Sequence, residues 1–322
     1  PYYRPMRTKR PRRALPRLFR QMRVLIIGCG DVGLRITRAQ ARGTRIIGSA
    51  RGLAQQQLIR QAGGRALAAD FDTPTGRARI AGLANRIIYL LPPDNTLPDE
   101  RRLAALLAQL GRRTTAATTH LAYCGTTGVY GNASGRVLTE TTPINPQSAR
   151  AGRRADAEQR LRRAAAQRRS ATLKICRLRA PGIYAADRLP ISRLQKGLPV
   201  LQRTDDSYSS HIHADDLAQS LWTAMLRGAN GRVYNACDGQ QLLMGEYFDA
   251  IADHLGLPRP PQLPAATVQA QVSPMQWSFM RESRRLSNQR LREELRVTLR
   301  YPTLAATLAT LPTESGQRGD SG

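Results

Sequence analysis

The first strong hydrophobic pattern is a short apolar run at 24–27, which feeds directly into Gly28-Cys29-Gly30-Asp31-Val32-Gly33. The pattern predicts a buried strand over 24–27, a glycine turn, and a helix opening near Val32. Each glycine has a physical role in such a unit. Gly28 permits the tight turn, Gly30 lets backbone N–H groups approach a pyrophosphate, and Gly33 allows close packing of helix on strand. Phosphates would sit at the helix N-terminus, where free N–H groups and the dipole favour anions.

The same alternation continues. Strands are expected at 44–48, 66–69, 86–91, 120–124 and 173–178, with helices at 53–62, 99–110 and 146–167. Thr73-Pro74 has the form of a helix N-cap followed by proline in the first turn. Pro92-Pro93 stops the fourth strand. Alternation sustained over about 160 residues implies a mostly parallel sheet with helices on both faces, an α/β, Rossmann-type doubly wound fold. Beyond Tyr184 the alternation weakens. The reading there is a short helix within 190–202, an extended piece at 211–213, a helix from 215 to 226 capped by Asp215 or Asp216, a strand at 233–236 and a helix at 244–255. Prolines at 258, 260, 261 and 264 mark a boundary.

The expected organisation is a basic, disordered extension at 1–21, a Rossmann domain at 22–188 and a smaller C-terminal lobe at 189–312. Segments near 211–236 return to the Rossmann domain, and a polar, disordered tail occupies 313–322. Because the first strand follows Met22 directly, that residue is a candidate start, with the basic arm as an added segment.

Composition changes this picture little. The net charge is +27 over 322 residues. Lysine occurs only at Lys9, Lys174 and Lys196, so the excess is arginine spread through every segment. There is no regular aromatic interleaving of the kind single-strand binders use, and no nucleic-acid motif, so no specific nucleic-acid partner is expected. No apolar stretch approaches the roughly 18 residues a membrane span needs. The cysteines, Cys29, Cys124, Cys176 and Cys237, form no CxxC and lie in or beside expected strands, which points to a reduced, cytoplasmic protein. Cys124 at a strand mouth is a weak candidate nucleophile, since its nearest histidine, His120, sits on the same strand.

Several segments then line up in order: the glycine loop, CGTTGVYG (124–131), ETTPINP (140–146), RAPGIYAADR (179–188), HIHADDLA (211–218) and VYNACDG (233–239). Over roughly residues 22–256 the set resembles the extended short-chain dehydrogenase/reductase family of the nucleotide-sugar epimerase/dehydratase type. That family works with a tyrosine and, four residues later, a lysine on one helix face. The tyrosinate is the acid/base and the lysine lowers its pKa, while a serine or threonine at the end of the fifth strand holds the substrate oxygen. Thr126 falls at the serine/threonine position. Arg150 stands where the tyrosine belongs and Arg154 where the lysine belongs. No tyrosine in the chain has lysine four residues later. The sequence looks closest to the atypical, epimerase-like branch that lacks the pair.

The resemblance implies an oxidoreductase or isomerase acting on a small hydroxyl or carbonyl substrate, held between the two lobes, through a non-standard acid/base residue. Tyr184 and Tyr130 are the nearest candidates. The alternative is an NAD(P)-binding sensor or assembly protein without turnover. Arg150 and Arg154 could clamp an anionic substrate or the cofactor diphosphate, or form a solvated basic helix face. For Tyr184 the structural alternative is packing over the cleft.

For the cofactor, Gly28, Gly30, Asp31, Val32 and Gly33 form the phosphate loop. Arg51 follows the second strand with no acid beside it, which favours NADP over NAD. Asp70 resembles the family's adenine-contacting aspartate, Leu91 and Pro92 the cleft wall, and Pro181 with Gly182 the turn touching the nicotinamide. His211 and His213 share a strand face but have no evident third ligand. The family's motif accounts for His213, Asp215 and Asp216 as an ordering element and helix cap, so no metal is expected.

Overall fold

The computed structural model describes residues 21–80, 82–94, 100–111, 118–167 and 172–311. The expectations for residues 1–20 and for the tail at 313–322 lie outside them. Seven strands form one sheet: β1 (Arg23–Ile27), β2 (Arg45–Ala50), β3 (Arg65–Ala68), β4 (Arg86–Tyr89), β5 (Thr119–Thr126), β6 (Leu173–Ala180) and β7 (Val233–Asn235). Their order is β7-β6-β5-β4-β1-β2-β3, and every neighbouring pair is parallel. Strand order reverses between β1 and β4, so the crevice at the carboxyl ends of these two strands is where such a sheet takes a ligand.

The longer helices are α1 (Asp31–Gln40), α2 (Leu53–Gln61), α3 (Arg101–Gly111), α4 (Ala149–Ala166), α5 (Ala214–Arg227) and α6 (Met244–His254). They cover both faces. Val24, Ile26, Ile88 and Leu178 pack with Ile36 of α1 and Leu217 and Leu221 of α5. Leu25, Ile27, Ile87 and Tyr123 pack on the other face with Leu103 and Leu106 of α3 and Leu161 of α4. A strand covered on both sides has no polar face, which is why 24–27 reads as an unbroken apolar run.

β6 breaks that rule. Arg177 and Arg179 alternate onto one face and meet Glu158 of α4. Arg179 grips the carboxylate through Nη2 at 2.6 Å and Nε at 2.9 Å, and Arg177 Nη1 lies 3.8 Å away. Both arginines and the glutamate are buried.

After Tyr184 the chain returns to the sheet for α5 and β7. A separate core forms around α6, with Tyr184, Leu194, Val200, Phe248, Ile251 and Leu304. Two-residue pairings close this lobe, among them Val137–Leu138 with Arg285–Leu286. The cap of α5 differs from expectation. The helix opens at Ala214, so the cap position falls to His213, whose Nδ1 accepts from Asp215 N at 3.2 Å. Asp216 is buried and instead accepts from the backbone N–H groups of Arg300 and Tyr301, both at 2.8 Å. Helix α4 likewise starts at Ala149, three residues later than its sequence suggests, where Ser148 caps Ala151 N.

Candidate active site

β1 leads straight into the glycine loop. Gly28 has φ +77°, and a Cβ there would lie 2.8 Å from the Leu91 side chain and 2.9 Å from Leu91 N. Its N–H donates to Ser49 Oγ at 3.0 Å, and Cys29 N–H donates to Ser49 O at 3.0 Å, which ties the loop to β2. At Gly33 a Cβ would meet Cys29 Sγ at 2.9 Å and Ile26 Cγ2 at 3.2 Å, so α1 packs directly on β1. Gly30, which caps α1, differs from both. Nothing lies within 4 Å of its Cβ position. The space beyond it is open, and the N–H groups of Asp31, Val32 and Gly33 in the first helical turn have no intrahelical acceptor. This is a cradle for an anion.

Two cavities meet at Gly28 and Gly30. One, of 520 Å³, is walled by Ser49, Arg51, Asp70, Asp72, Leu91 and Pro92. Arg51 is exposed and its Nη1 lies 3.5 Å from Asp72 Oδ2, while Asp70 Oδ1 accepts from Asp72 N at 3.0 Å. The other, of 310 Å³, is walled by Asp31, Cys124, Thr126, Arg154, Pro181 and Arg188. Val32 and Gly33 also line it, whereas Gly182 does not. Gly182 pairs instead with His211, in a neighbouring two-stranded piece.

Asp31 in the first turn of α1 would repel an anion if left alone. Two arginines hold it. Arg35 Nε donates at 3.1 Å from one turn along the helix, and Arg188 Nη1 donates at 2.6 Å from across the cleft. Arg35 also reaches Asp187 at 2.6 Å and Asp215 at 2.8 Å. Only the Arg35–Asp31 pair has a local, one-turn spacing; the contacts of Arg35 with Asp187 and Asp215, and of Arg188 with Asp31, join distant segments and left no signal in the sequence.

The expected catalytic residues separate in space. Thr126 ends β5, and its Oγ1 accepts from Gly128 N at 3.2 Å, which leaves its own O–H to donate. Arg154 Nη1 donates to Tyr123 OH at 3.1 Å and to Cys124 O at 3.0 Å, so its guanidinium stands beside Thr126. Arg150 does not join them. It is exposed, and its guanidinium carbon sits 4.0 Å from the Phe279 ring centroid. Tyr184 is 1% exposed, with its hydroxyl 3.4 Å from Asp238 Oδ2 and its ring edge-on to His211, His213 and Tyr247. Its place is the core of the smaller lobe, away from the cleft-lining residues. Tyr130 is also buried and donates to Asn235 Oδ1 at 2.8 Å. Burial pushes both phenols above their usual range.

Cys124 does reach the smaller cavity, but burial pushes its thiol up to about 11, only partly offset by Arg154, so it stays protonated near neutrality. His120 lies about 13 Å along the same strand and is pushed down to about 4 by burial, with Arg86 and Lys174 adding to the effect. His211 stacks on Tyr247 at 4.1 Å between centroids. Among the described residues no group of three potential metal ligands occurs.

With the fold and both cavities in view, the comparisons decide the family. The model of the NAD dependent epimerase/dehydratase family matches residues 69–237, more than half of the chain. The chain belongs to that family. A functionally unknown conserved protein from Silicibacter pomeroyi is 31% identical, with a TM-score of 0.77, over 90% of this chain and 98% of that one. Two solved structures further off share the fold. A Thermotoga maritima UDP-glucose 4-epimerase with UDP-glucose is 16% identical with a TM-score of 0.70, covering 89% of this chain and 96% of that one. A human epimerase family protein with NADPH is 17% identical with a TM-score of 0.66, covering 90% and 98%. Curated proteins gave no match. The epimerase/dehydratase match begins at residue 69, so it takes in Asp70, Thr126, Arg154 and Arg188 but not the glycine loop. The loop's reading rests on its own geometry.

Proposed function

We propose that this epimerase/dehydratase family member binds a nicotinamide dinucleotide, NADP(H) ahead of NAD(H), and reduces the carbonyl of a small-molecule substrate. The observation that carries the reading is the pair of cavities joined at Gly28 and Gly30, with open space beyond Gly30. Gly28, Gly30, Val32 and Gly33 would hold the diphosphate, with Asp31 neutralised by Arg35 and Arg188. Asp70, Leu91 and Pro92 would wall the adenosine, and Pro181 the nicotinamide. Arg51, with no acid beside it on β2, suits a 2′-phosphate. The human neighbour's NADPH is in keeping with that preference.

A bound nicotinamide supplies or accepts a hydride. The side chains around its expected position are donors. The Thr126 hydroxyl can donate to a substrate oxygen that gains negative charge, and the Arg154 guanidinium adds a fixed positive charge nearby. Neither accepts a proton near neutrality, since arginine stays protonated. Reduction therefore fits better than oxidation: with the cofactor bound, Thr126 would hold the substrate oxygen as it gains charge, and water would supply its proton. A second reading is a dinucleotide holder without turnover. It is favoured by the one carboxylate among the described lining residues of this cavity, Asp31, being engaged by two arginines. The four unpaired cysteines suit a reducing, cytoplasmic setting. Among the described residues no helix is long and apolar enough to cross a membrane.

Melting with each dinucleotide tests the first step, because a ligand that binds the native state raises its stability. NADPH is expected to raise the melting temperature more than NADH, and no shift with either overturns the proposal. Following reduced-cofactor absorbance across a panel of carbonyl compounds then separates the two readings. Binding without any consumption across the panel favours the holder.

A further inference from the structure

We propose that Arg154 recognises a substrate carboxylate, so that the small molecule taken by this cleft is an oxo or hydroxy acid. The inference rests on the dinucleotide reading above and adds the class of substrate. Three observations carry it.

The first is how Arg154 is held. Its Nη1 is anchored on Tyr123 OH and Cys124 O, at 3.1 and 3.0 Å. The Nε and Nη2 edge has no partner among the described residues, and neither atom is sealed from solvent. That edge is one of the two-donor forks by which a guanidinium grips a carboxylate in bidentate fashion. Anchoring one nitrogen fixes the plane, so little rotational freedom remains to be lost on binding.

The second is the division of charge inside the 310 Å³ cavity. Arg188 faces the first turn of α1, where its Nη1 bonds Asp31. Arg154 stands at the ends of β5 and α4 beside Thr126, with no carboxylate bonded to it. Asp31 is thus balanced at the diphosphate end, while a free positive fork remains at the substrate end.

The third is what walls the cavity. None of its lining residues lies beyond Arg188, so the smaller lobe lends it no surface. At the neighbouring first turn of α4 that lobe instead closes down. The Phe279 ring lies against the exposed Arg150 guanidinium, 4.0 Å to its centroid, and Arg284 Nη1 bonds Gly131 O at 3.0 Å. A cavity of this size, shared with a nicotinamide, suits a few-carbon acid and leaves no wall for a nucleotide.

The test uses the protein saturated with NADPH and oxalate as a planar dicarboxylate probe, with oxamide as its uncharged counterpart and inorganic phosphate as a second anion. Oxalate is expected to add a further rise in melting temperature on top of that from NADPH, with oxamide and phosphate adding none. Arg154→Gln is expected to weaken oxalate at least tenfold while leaving the NADPH shift in place, and Arg154→Lys to recover part of the loss. Should Arg154→Gln fail to fold, the lysine variant carries the test, because one point contact in place of a fork should still weaken oxalate. Equal responses to oxalate and oxamide overturn the proposal, as does undiminished oxalate binding by either variant. Competition between oxalate and NADPH also overturns it, since that would put the anion at the diphosphate. A protein that takes neither dinucleotide sinks the underlying reading and this one together. One that takes NADPH but ignores oxalate sinks the carboxylate alone.

Discussion

Along the glycine loop the cleft is lined mostly by main chain, and its dimensions are set by what side chains would do if they were there. Along α4 the opposite holds: the wall is guanidinium groups, a carboxylate beneath them, and rings that they cover. The loop side meets the requirements of its resemblance at Gly28, Gly30 and Gly33, in a chain whose composition is heavily tilted to arginine. The α4 side depends on side-chain identity, and it carries Arg150 and Arg154 where the resemblance expects a tyrosine and a lysine. Function built from backbone N–H groups depends on φ and free space, which a surrounding excess of arginine leaves untouched. Function built from a tuned phenol is lost with one residue.

The sharpest way to break the α4 side is at its foundation. Glu158→Gln removes the carboxylate that neutralises Arg177 and Arg179 and leaves two buried guanidinium groups without a counter-charge. The expected cost is about 4 kcal/mol, as for other buried pairs that lose one partner, read from urea denaturation. A loss below about 1 kcal/mol would show that water reaches the pair and that this wall is less tightly built than its burial indicates. On the loop side the matching change is Gly28→Ala. It combines a positive φ with a contact against Leu91 N that no side-chain rotation relieves. About 3 kcal/mol of destabilisation is expected from strain and overpacking together, and the same denaturation series checks it.

The difference between the two walls also explains what the sequence disclosed. The sheet was legible because β1 and β4 carry local apolar runs, and the elements between strands are punctuated by glycine, proline and capping residues. Thr73, expected as a helix cap ahead of Pro74, accepts from Gly76 N at 3.0 Å. The glycine turn was legible because its constraint is local and steric. In the smaller lobe the extended piece at 211–213 and the helix at 244–254 were legible, but the pairings were not, since those strands are two or three residues long and pair across tens of positions, or across more than a hundred as 137–138 does with 285–286. No periodicity survives in so short an element. The side chains of the site failed for the same reason. Arg150 and Arg154 share a helix, yet Phe279 draws one outward while Cys124 O and Tyr123 OH hold the other in. Tyr184 follows the cleft-lining Pro181 by three residues but turns into the core beside Asp238. Sequence spacing could place each residue on an element and could not say which neighbour from another segment would claim it.

Two smaller effects separate the loop's own stability from its service to a ligand. Gly30→Ala adds a methyl group where nothing lies within 4 Å, so stability should change by about 1 kcal/mol or less. The methyl occupies the space through which a diphosphate must approach the backbone, and NADPH affinity should fall on the order of 10- to 100-fold. Titration calorimetry beside a melting curve reads both quantities. Unchanged affinity would move the dinucleotide away from the loop altogether. Arg51→Ala is the finer cut. Arg51 is exposed and held only loosely by Asp72 at 3.5 Å, so removing it should cost no measurable stability. If it meets a 2′-phosphate it makes a charge-assisted contact, and its loss should weaken NADPH about tenfold while leaving NADH unchanged. Equal weakening of both would place Arg51 against the adenosine they share. No weakening of either would leave the preference for NADP without a residue, and the dinucleotide held by main chain alone.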